Sequence, residues 1–300
     1  MDFKQLETFV TIAKLKSFSK AAEHLFLTQP TISNHIQNLE KELKTILINR
    51  TNKNISLTQA GELLYKHAID ILNKKESAIF SLNQFKGKIE GILEISASTI
   101  PEQYYLPDLL IEFSKKYPEV KYNLKKYATG QIIDKILGGE IDFGIVGAKQ
   151  EFKQLEYIEI MDDNIVLSAP CKDKYLYIDL IDLKDLCKKP LIMREEDSGT
   201  RKALEESLIK HNIFLEDLNI VAFVENTETI KELVRKGMGL TFISERAISR
   251  NINNQEIKKI SIKDFDIKRK FYFVYHKNRA LSPLTETFKK FVLQNKDTVI

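Results

Sequence analysis

At 300 residues, with 43% hydrophobic and 29% charged side chains, the chain has the composition of an ordinary globular protein of about two domains. Its charged start, Met1-Asp2-Phe3-Lys4-Gln5-Leu6-Glu7, argues against a signal-peptide core, and no apolar run reaches the ~20 residues that span a bilayer, so no membrane partner and a cytoplasmic location are expected. The net charge of +4 is unevenly spread: residues 1–87 hold 12 Lys/Arg against 8 Asp/Glu, the rest 34 of each, which points to nucleic acid as a partner of the N-terminal third. Cys171 and Cys187 form no C-x-x-C pair or ligand cluster, so free thiols, no metal and no cofactor are expected.

In chain order, Leu6, Phe9, Val10 and Ala13 recur at helical spacing and end near Lys16. Ser17 can cap a second helix with Phe18, Ala21, Ala22 and Leu25 inward. Thr28 can cap a third, whose first turn tolerates Pro30 and whose buried stripe is Ile32, Ile36, Leu39 and Leu43. Gln29, Thr31, Ser33, Asn34 and Gln37 cluster on its other face. Amide side chains pair bidentately with adenine and hydroxyls reach bases or phosphates, so this face suits a recognition helix in a major groove. Residues 47–58 then read as two short strands around a polar tip, a wing that places Arg50 and Lys53 near phosphates.

Thr58 caps a long helix from Gln59 to about Phe85, roughly 40 Å at 1.5 Å per residue. Its apolar residues Leu64, Ala68, Ile71, Ala78, Leu82 and Phe85 form a narrow seam, with Lys75 at the missing heptad position, that predicts pairing with a second copy. Gly87 and Gly91 mark a boundary. Beyond it two α/β units follow one plan: strand, hydroxyl-rich loop, helix, strand, helix, glycine turn, strand. The first runs through strands 92–96, 120–127 and 143–146 with helices 104–116 and 132–137; the second through strands 191–193, 220–224 and 240–243 with helices 201–211 and 227–236.

The succession of Ser17-Phe18-Ser19-Lys20-Ala21-Ala22-Glu23-His24-Leu25, Thr28 to Ile36, Leu39 to Leu43, a wing, and Leu57-Thr58-Gln59-Ala60-Gly61 resembles the LysR-type transcriptional regulators over the whole chain. The resemblance implies an N-terminal all-α winged helix-turn-helix (1–58), a linker and dimerisation helix (59–88), and a C-terminal α/β two-lobed domain like the periplasmic solute-binding proteins. That domain would cover 89–300, with lobe I about 89–161 and 268–300 and lobe II about 162–267. The family's Ser-Gln-Pro-Ala-Leu-Ser-Arg pattern falls on Thr28 to Asn34, implying DNA contacts from Gln29, Thr31, Ser33, Asn34, Gln37 and Arg50. Asn34 replaces a common arginine, Lys44 a usual glycine and Ile48 a usual phenylalanine, which bears on base preference. The implied partners are inverted-repeat promoter DNA, RNA polymerase, a small-molecule effector, and further copies of the chain as a homodimer and homotetramer.

For the effector, helix N-termini behind hydroxyl-rich loops favour an anion, and ligands of open α/β sheets lie at the carboxyl ends of strands. The candidates are Ser98, Thr99 and Thr129 in one lobe, with Ser96 behind them, and Ser198, Thr200, Arg201, Asn226 and Thr227 in the other. Glu195, Glu196 and Asp197 would repel an anion unless they point away or pair with Arg201 and Lys202. The stretch Arg194 to Arg201 resembles members that govern sulfur or oxyanion assimilation, so a small inorganic or carboxylate anion is expected, with an amino acid or aromatic acid as the alternative. An enzyme or a stand-alone solute-binding protein is disfavoured: no Gly-x-Ser-x-Gly, phosphate-loop or zinc motif is present, and residues 1–87 would have no use in a solute carrier.

Overall fold

The computed structural model describes residues 1–51, 54–85, 89–172 and 175–295. Three helices, α1 (Phe3–Leu15), α2 (Phe18–His24) and α3 (Gln29–Leu43), precede a hairpin of β1 (Ile48–Thr51) and β2 (Asn54–Leu57), and α4 (Gln59–Phe85) follows. Short polar side chains fix the starts: Asp2 accepts from Gln5 N at 2.8 Å, Ser17 from Lys20 N at 3.2 Å and Thr28 from Thr31 N at 3.4 Å. Phe9, Ile12, Ile32, Ile36 and Leu39 close a core to which α4 adds Tyr65, Ala68 and Ile69. One carboxylate oxygen of Glu40 accepts from Leu47 N (2.9 Å) and Ile48 N (3.2 Å), pinning the entry to the hairpin. At its exit a Cβ on Gly61 would stand 2.1 Å from the Leu47 carbonyl oxygen, so the start of α4 approaches the hairpin only because that residue is glycine.

The seam expected along α4 is divided. Ala68 is buried and Leu64 and Ile71 are packed against the chain's own core, because α1 lies across the first half of the helix. Among the described residues, the large apolar side chains left exposed on α4 are Leu63, Ile79 and Leu82 (63% exposed); Phe80 turns onto the core of the following domain. The side chain of Phe85 and residue Gly87 lie outside what the structure describes.

The first α/β unit is β3 (Gly91–Ala97), α5 (Thr99–Tyr104), α6 (Leu106–Lys116), β4 (Val120–Lys126), α7 (Thr129–Gly138) and β5 (Phe143–Val146). A long strand β6 (Leu155–Pro170) leads through β7 (Leu180–Ile181) and α8 (Leu183–Leu186) to the second unit: β8 (Leu191–Arg194), α9 (Gly199–Ile209), β9 (Ile220–Val224), α10 (Thr227–Lys236) and β10 (Leu240–Ser244). Then come α11 (Glu245–Asn253), β11 (Ile257–Ile262), β12 (Ile267–His276) and α12 (Pro283–Gln294). The sheet runs β4-β3-β5-β12-β6-β10-β8-β9, so the units repeat one strand order on either side of the antiparallel pair β6/β12. Gly139 (φ 73°) and Gly237 (φ 91°) end α7 and α10 in the left-handed region, the equivalent turn in each unit.

At three places helical structure begins earlier than the apolar pattern predicts. The stretch read as a loop followed by a helix from Tyr104 is two helices, α5 and α6, with Pro101 and Pro107 each in a first turn where the missing N–H costs nothing. Likewise α7 starts at Thr129 and α9 at Gly199, so Thr99, Thr129 and Thr200 sit in first turns and not in loops. The helix α4 docks on the α/β domain: the Tyr65 hydroxyl donates to the Gly139 carbonyl (3.3 Å) and Asn73 Nδ2 to the Ala280 carbonyl (2.7 Å). The Arg279 guanidinium donates to the carbonyls of Ile136 (2.6 Å) and Leu137 (2.8 Å), a cation on the negative end of α7.

Candidate DNA-reading helix and effector cleft

On α3, Gln29, Asn34 and Gln37 are exposed, while Thr31 and Ser33 are half-buried on the same end of the helix. The Thr28 and Thr31 hydroxyls bond each other at 2.8 Å. From the inner face, His35 Nδ1 meets the Thr8 hydroxyl at 2.8 Å, which fixes the rotation of α3 against α1 and thereby the direction of the amide face. Arg50 lies on β1 opposite Ile55; its side chain and all of Lys53 lie outside the described residues.

Between the two α/β units, where β6 and β12 cross from one to the other, lies a narrow cleft of about 40 Å³. Of the expected effector residues, Ser98, Thr99, Thr129, Ser198 and Thr200 line it together. The other three do not line it. Arg201 Nε pairs with Glu205 (2.6 Å), its guanidinium lies over the Phe223 ring (5.3 Å), and its Nη1 donates to the Arg194 carbonyl (3.4 Å). Asn226 caps α10 by accepting from Thr229 N at 3.0 Å. Thr227 is buried behind the cleft, where its hydroxyl accepts from Arg194 Nη1 at 3.2 Å. Ser96 is buried in β3.

The cleft has two cations that the motif reading did not select. Arg269, with a side chain 7% exposed, donates through Nε to Asp163 (2.8 Å) and through Nη1 to the Thr200 hydroxyl (3.1 Å). Its third donor nitrogen, Nη2, is buried with no protein partner. Asp163 also accepts from the Ser244 hydroxyl at 2.6 Å. Burial pushes the Arg269 guanidinium below its ordinary value, Asp163 opposes this, and the positive charge of Arg194 adds to it. Arg194, also 7% exposed, is gripped on two nitrogens by Glu195, each at 2.7 Å. Of the three acidic residues before Ser198, Glu195 and Asp197 line the cleft and Glu196 does not; Asp197 stands 4.0 Å from Lys202 Nζ.

A signal for Arg269 exists in the sequence. Ile267, Phe271 and Phe273 share one face of β12 and are all buried, and Arg269 is the charged residue at the matching position of that alternation. Between the two units the Tyr104 hydroxyl, at the end of α5, donates to the Glu228 carboxylate on α10, which also pairs with Lys231 at 2.8 Å. Among the described residues no grouping of His, Cys, Asp and Glu could hold a metal ion, and no helix is long and apolar enough to cross a membrane.

A capped helix with an amide face, a hairpin beside it, a long helix and a two-lobed α/β domain together define a regulator that reads DNA and carries a ligand cleft. Residues 3–62 match the bacterial regulatory helix-turn-helix protein, lysR family, and residues 86–297 match the LysR substrate binding domain. The chain belongs to the LysR family of transcriptional regulators. It is 30% identical to the HTH-type transcriptional regulator CysL of Bacillus subtilis (strain 168), over 96% of this chain and 94% of that one. A full-length OxyR variant from Pseudomonas aeruginosa superposes with a TM-score of 0.75 at 21% identity, covering 100% of this chain and 95% of that one. The regulatory domain of CcmR from Synechocystis PCC6803, in complex with 2-PG, has a TM-score of 0.63 at 27% identity, covering 70% of this chain and 99% of that domain.

Proposed function

We propose that this regulator is switched by a compact anion held in the cleft between its two lobes. The observation that carries the reading is the unpartnered Nη2 of Arg269: a buried guanidinium N–H costs free energy unless something accepts from it, and an anion in the cleft would. Thr200, on the neighbouring nitrogen, and the first turns of α7 and α9 add hydroxyl donors and free N–H groups from both lobes. The CcmR complex with 2-PG supports an anion in this fold. A lining of two arginines and five Ser and Thr hydroxyls favours a compact carboxylate or inorganic oxyanion over an aromatic acid.

We divide the chain into a DNA-binding domain (1–58), a linker helix (59–88) and an effector domain (89–300). In this reading Gln29, Thr31, Ser33, Asn34 and Gln37 meet base edges and phosphates, helped by Arg50 and Lys53. Two copies pair along α4 through Ile79 and Leu82, setting two recognition helices on an inverted repeat, and effector domains join the dimers into a tetramer in the cytoplasm. The helix α7 joins the two sites: Thr129 at its start lines the cleft, and Ile136, Leu137 and Gly139 at its end receive Arg279 and Tyr65. An anion that favours one lobe arrangement would therefore shift the seat of the DNA-binding domain, which is the differential affinity that coupling requires.

The test is a thermal-shift screen of the full chain against sulfate, thiosulfate, nitrate, phosphate, small carboxylates, amino acids and aromatic acids. A ligand at ten times its Kd stabilises the folded state by about 1.4 kcal/mol. Hits confined to the compact anions are expected; hits confined to amino or aromatic acids would overturn the reading of the cleft.

A further inference from the structure

Arg194 and Glu195 are consecutive residues that form a two-point pair across the wall of the cleft, an arrangement the anion reading does not explain. Both fork nitrogens of Arg194 that face Glu195 are taken, at 2.7 Å each, and the remaining Nη1 rests on Thr227. The guanidinium is thus held in place by β8, by α10 and by its own burial. Glu195 differs: it is 33% exposed and sits past the end of β8, in the turn whose carbonyl accepts from Ser198 N at 3.1 Å just before α9. One partner is fixed and buried; the other is part-exposed and can swing to water once another anion takes its place on the fork. The geometry they share, two parallel N–H···O bonds from a guanidinium fork, is also the geometry by which arginine grips the carboxylate or oxyanion edge of a ligand.

We propose that Glu195 fills the Arg194 fork as a built-in surrogate for the effector, and that the effector's own carboxylate or oxyanion edge displaces it. The proposal rests on the anion reading of the cleft and deepens it: Arg194 becomes a second receptor beside Arg269, occupied by the chain itself until an anion arrives. Displacement has two consequences. Affinity is set by competition, so only anions able to present two coplanar or near-coplanar oxygens win the fork. The released Glu195 loosens the turn that feeds α9, whose first residues line the same cleft, which links occupancy to the lobe arrangement.

Calorimetric titration of the full-length protein with sulfate and with malonate, at constant ionic strength, tests this on Glu195→Asp, Glu195→Gln, Glu196→Gln and Arg269→Lys. A fork filled by Glu195 more than nine-tenths of the time lowers apparent affinity about tenfold. Shortening the side chain while keeping its charge (E195D) and removing the charge (E195Q) are therefore both expected to tighten binding about tenfold or more, with E196Q within about twofold of the parent. Tighter binding in E195Q with E195D unchanged would reduce Glu195 to a repulsive charge and overturn the displacement. Wild-type binding that R269K weakens but neither Glu195 variant improves would leave the anion reading standing and overturn the surrogate. Binding by none of the proteins would overturn both.

Discussion

Single residues carry the local cost and selectivity of this fold. Lys44 ends α3 with φ 52°, a left-handed conformation in which an L side chain is strained by about 1–2 kcal/mol while glycine is not. Part of that relief is offset because glycine frees the unfolded chain, so Lys44→Gly is expected to raise stability by about 0.5–1 kcal/mol in urea titration; a loss of stability would show that the Lys44 side chain makes a contact worth more than the strain. On the facing side of the same helix, Gln29→Ala and Asn34→Ala are each expected to weaken specific operator binding by about 1–3 kcal/mol without changing nonspecific binding. Unchanged operator affinity in both would remove these amides from the readout.

Residues also show where the sequence was readable. The hydroxyls of the cleft could be found because they stand beside helix starts, and five of the eight effector candidates do converge on it. Arg201 was the cation next to those hydroxyls in sequence, yet it turns to Glu205, and one of the two cations lining the cleft, Arg269, comes from β12 and is paired with Asp163 on β6. That pairing joins positions 106 apart in the chain, and no local pattern carries a contact of that length. Asp163 stands in the polar run Asp162-Asp163-Asn164, which interrupts the apolar alternation of β6 and hides the strand.

At the scale of elements, α4 shows why periodicity alone misassigns a face. Its repeat of apolar positions is real, but α1 covers the first half, so Leu64, Ala68 and Ile71 serve the chain's own core while Leu63, Ile79 and Leu82 stay exposed. Substituting Ile79 and Leu82 together with Glu is expected to shift the assembly toward monomer in sedimentation while leaving the fold intact; an unchanged sedimentation profile would move the dimer interface elsewhere. The contact between α5 and α10 has a pH signature. Burial would raise the Glu228 carboxyl, but hydrogen bonds from Lys231 and Tyr104 outweigh it and hold the group below the ordinary glutamate range. A depressed carboxyl adds stability above its unfolded value near 4.3 and loses it as pH falls through the folded value. The stability difference between the parent and Glu228→Gln is therefore expected to be largest at neutral pH and to fade in acid. Because Glu228 is mostly exposed, the difference should stay below about 1 kcal/mol. A difference that grows in acid would contradict the pairing.

At the scale of the whole molecule, the repeated strand order on either side of β6 and β12 makes the effector domain two near-equivalent lobes sharing two strands. The repeat was legible because each unit ends in a glycine turn after its second helix; the shared strands were not, since each belongs to both lobes and pairs with a partner about a hundred residues away. One end of α7 lines the cleft, and at the other the Gly139 carbonyl accepts from Tyr65 of α4, the helix that follows the hairpin. Arg279→Gln is expected to leave anion affinity within about twofold of the parent and to alter how the anion changes operator binding. An unaltered response would take α7 out of the coupling.

The central claim is that a compact anion is held between the lobes by Arg269 and the hydroxyls beside it. The most direct measurement is calorimetric titration of the strongest compact-anion hit into the full-length parent, Thr200→Val and Arg269→Lys, with operator binding of each followed in parallel. Affinity lower by about tenfold or more in both variants, with operator binding in the absence of anion retained, is the predicted result. Equal affinity in all three proteins would contradict the account and place the effector outside this cleft.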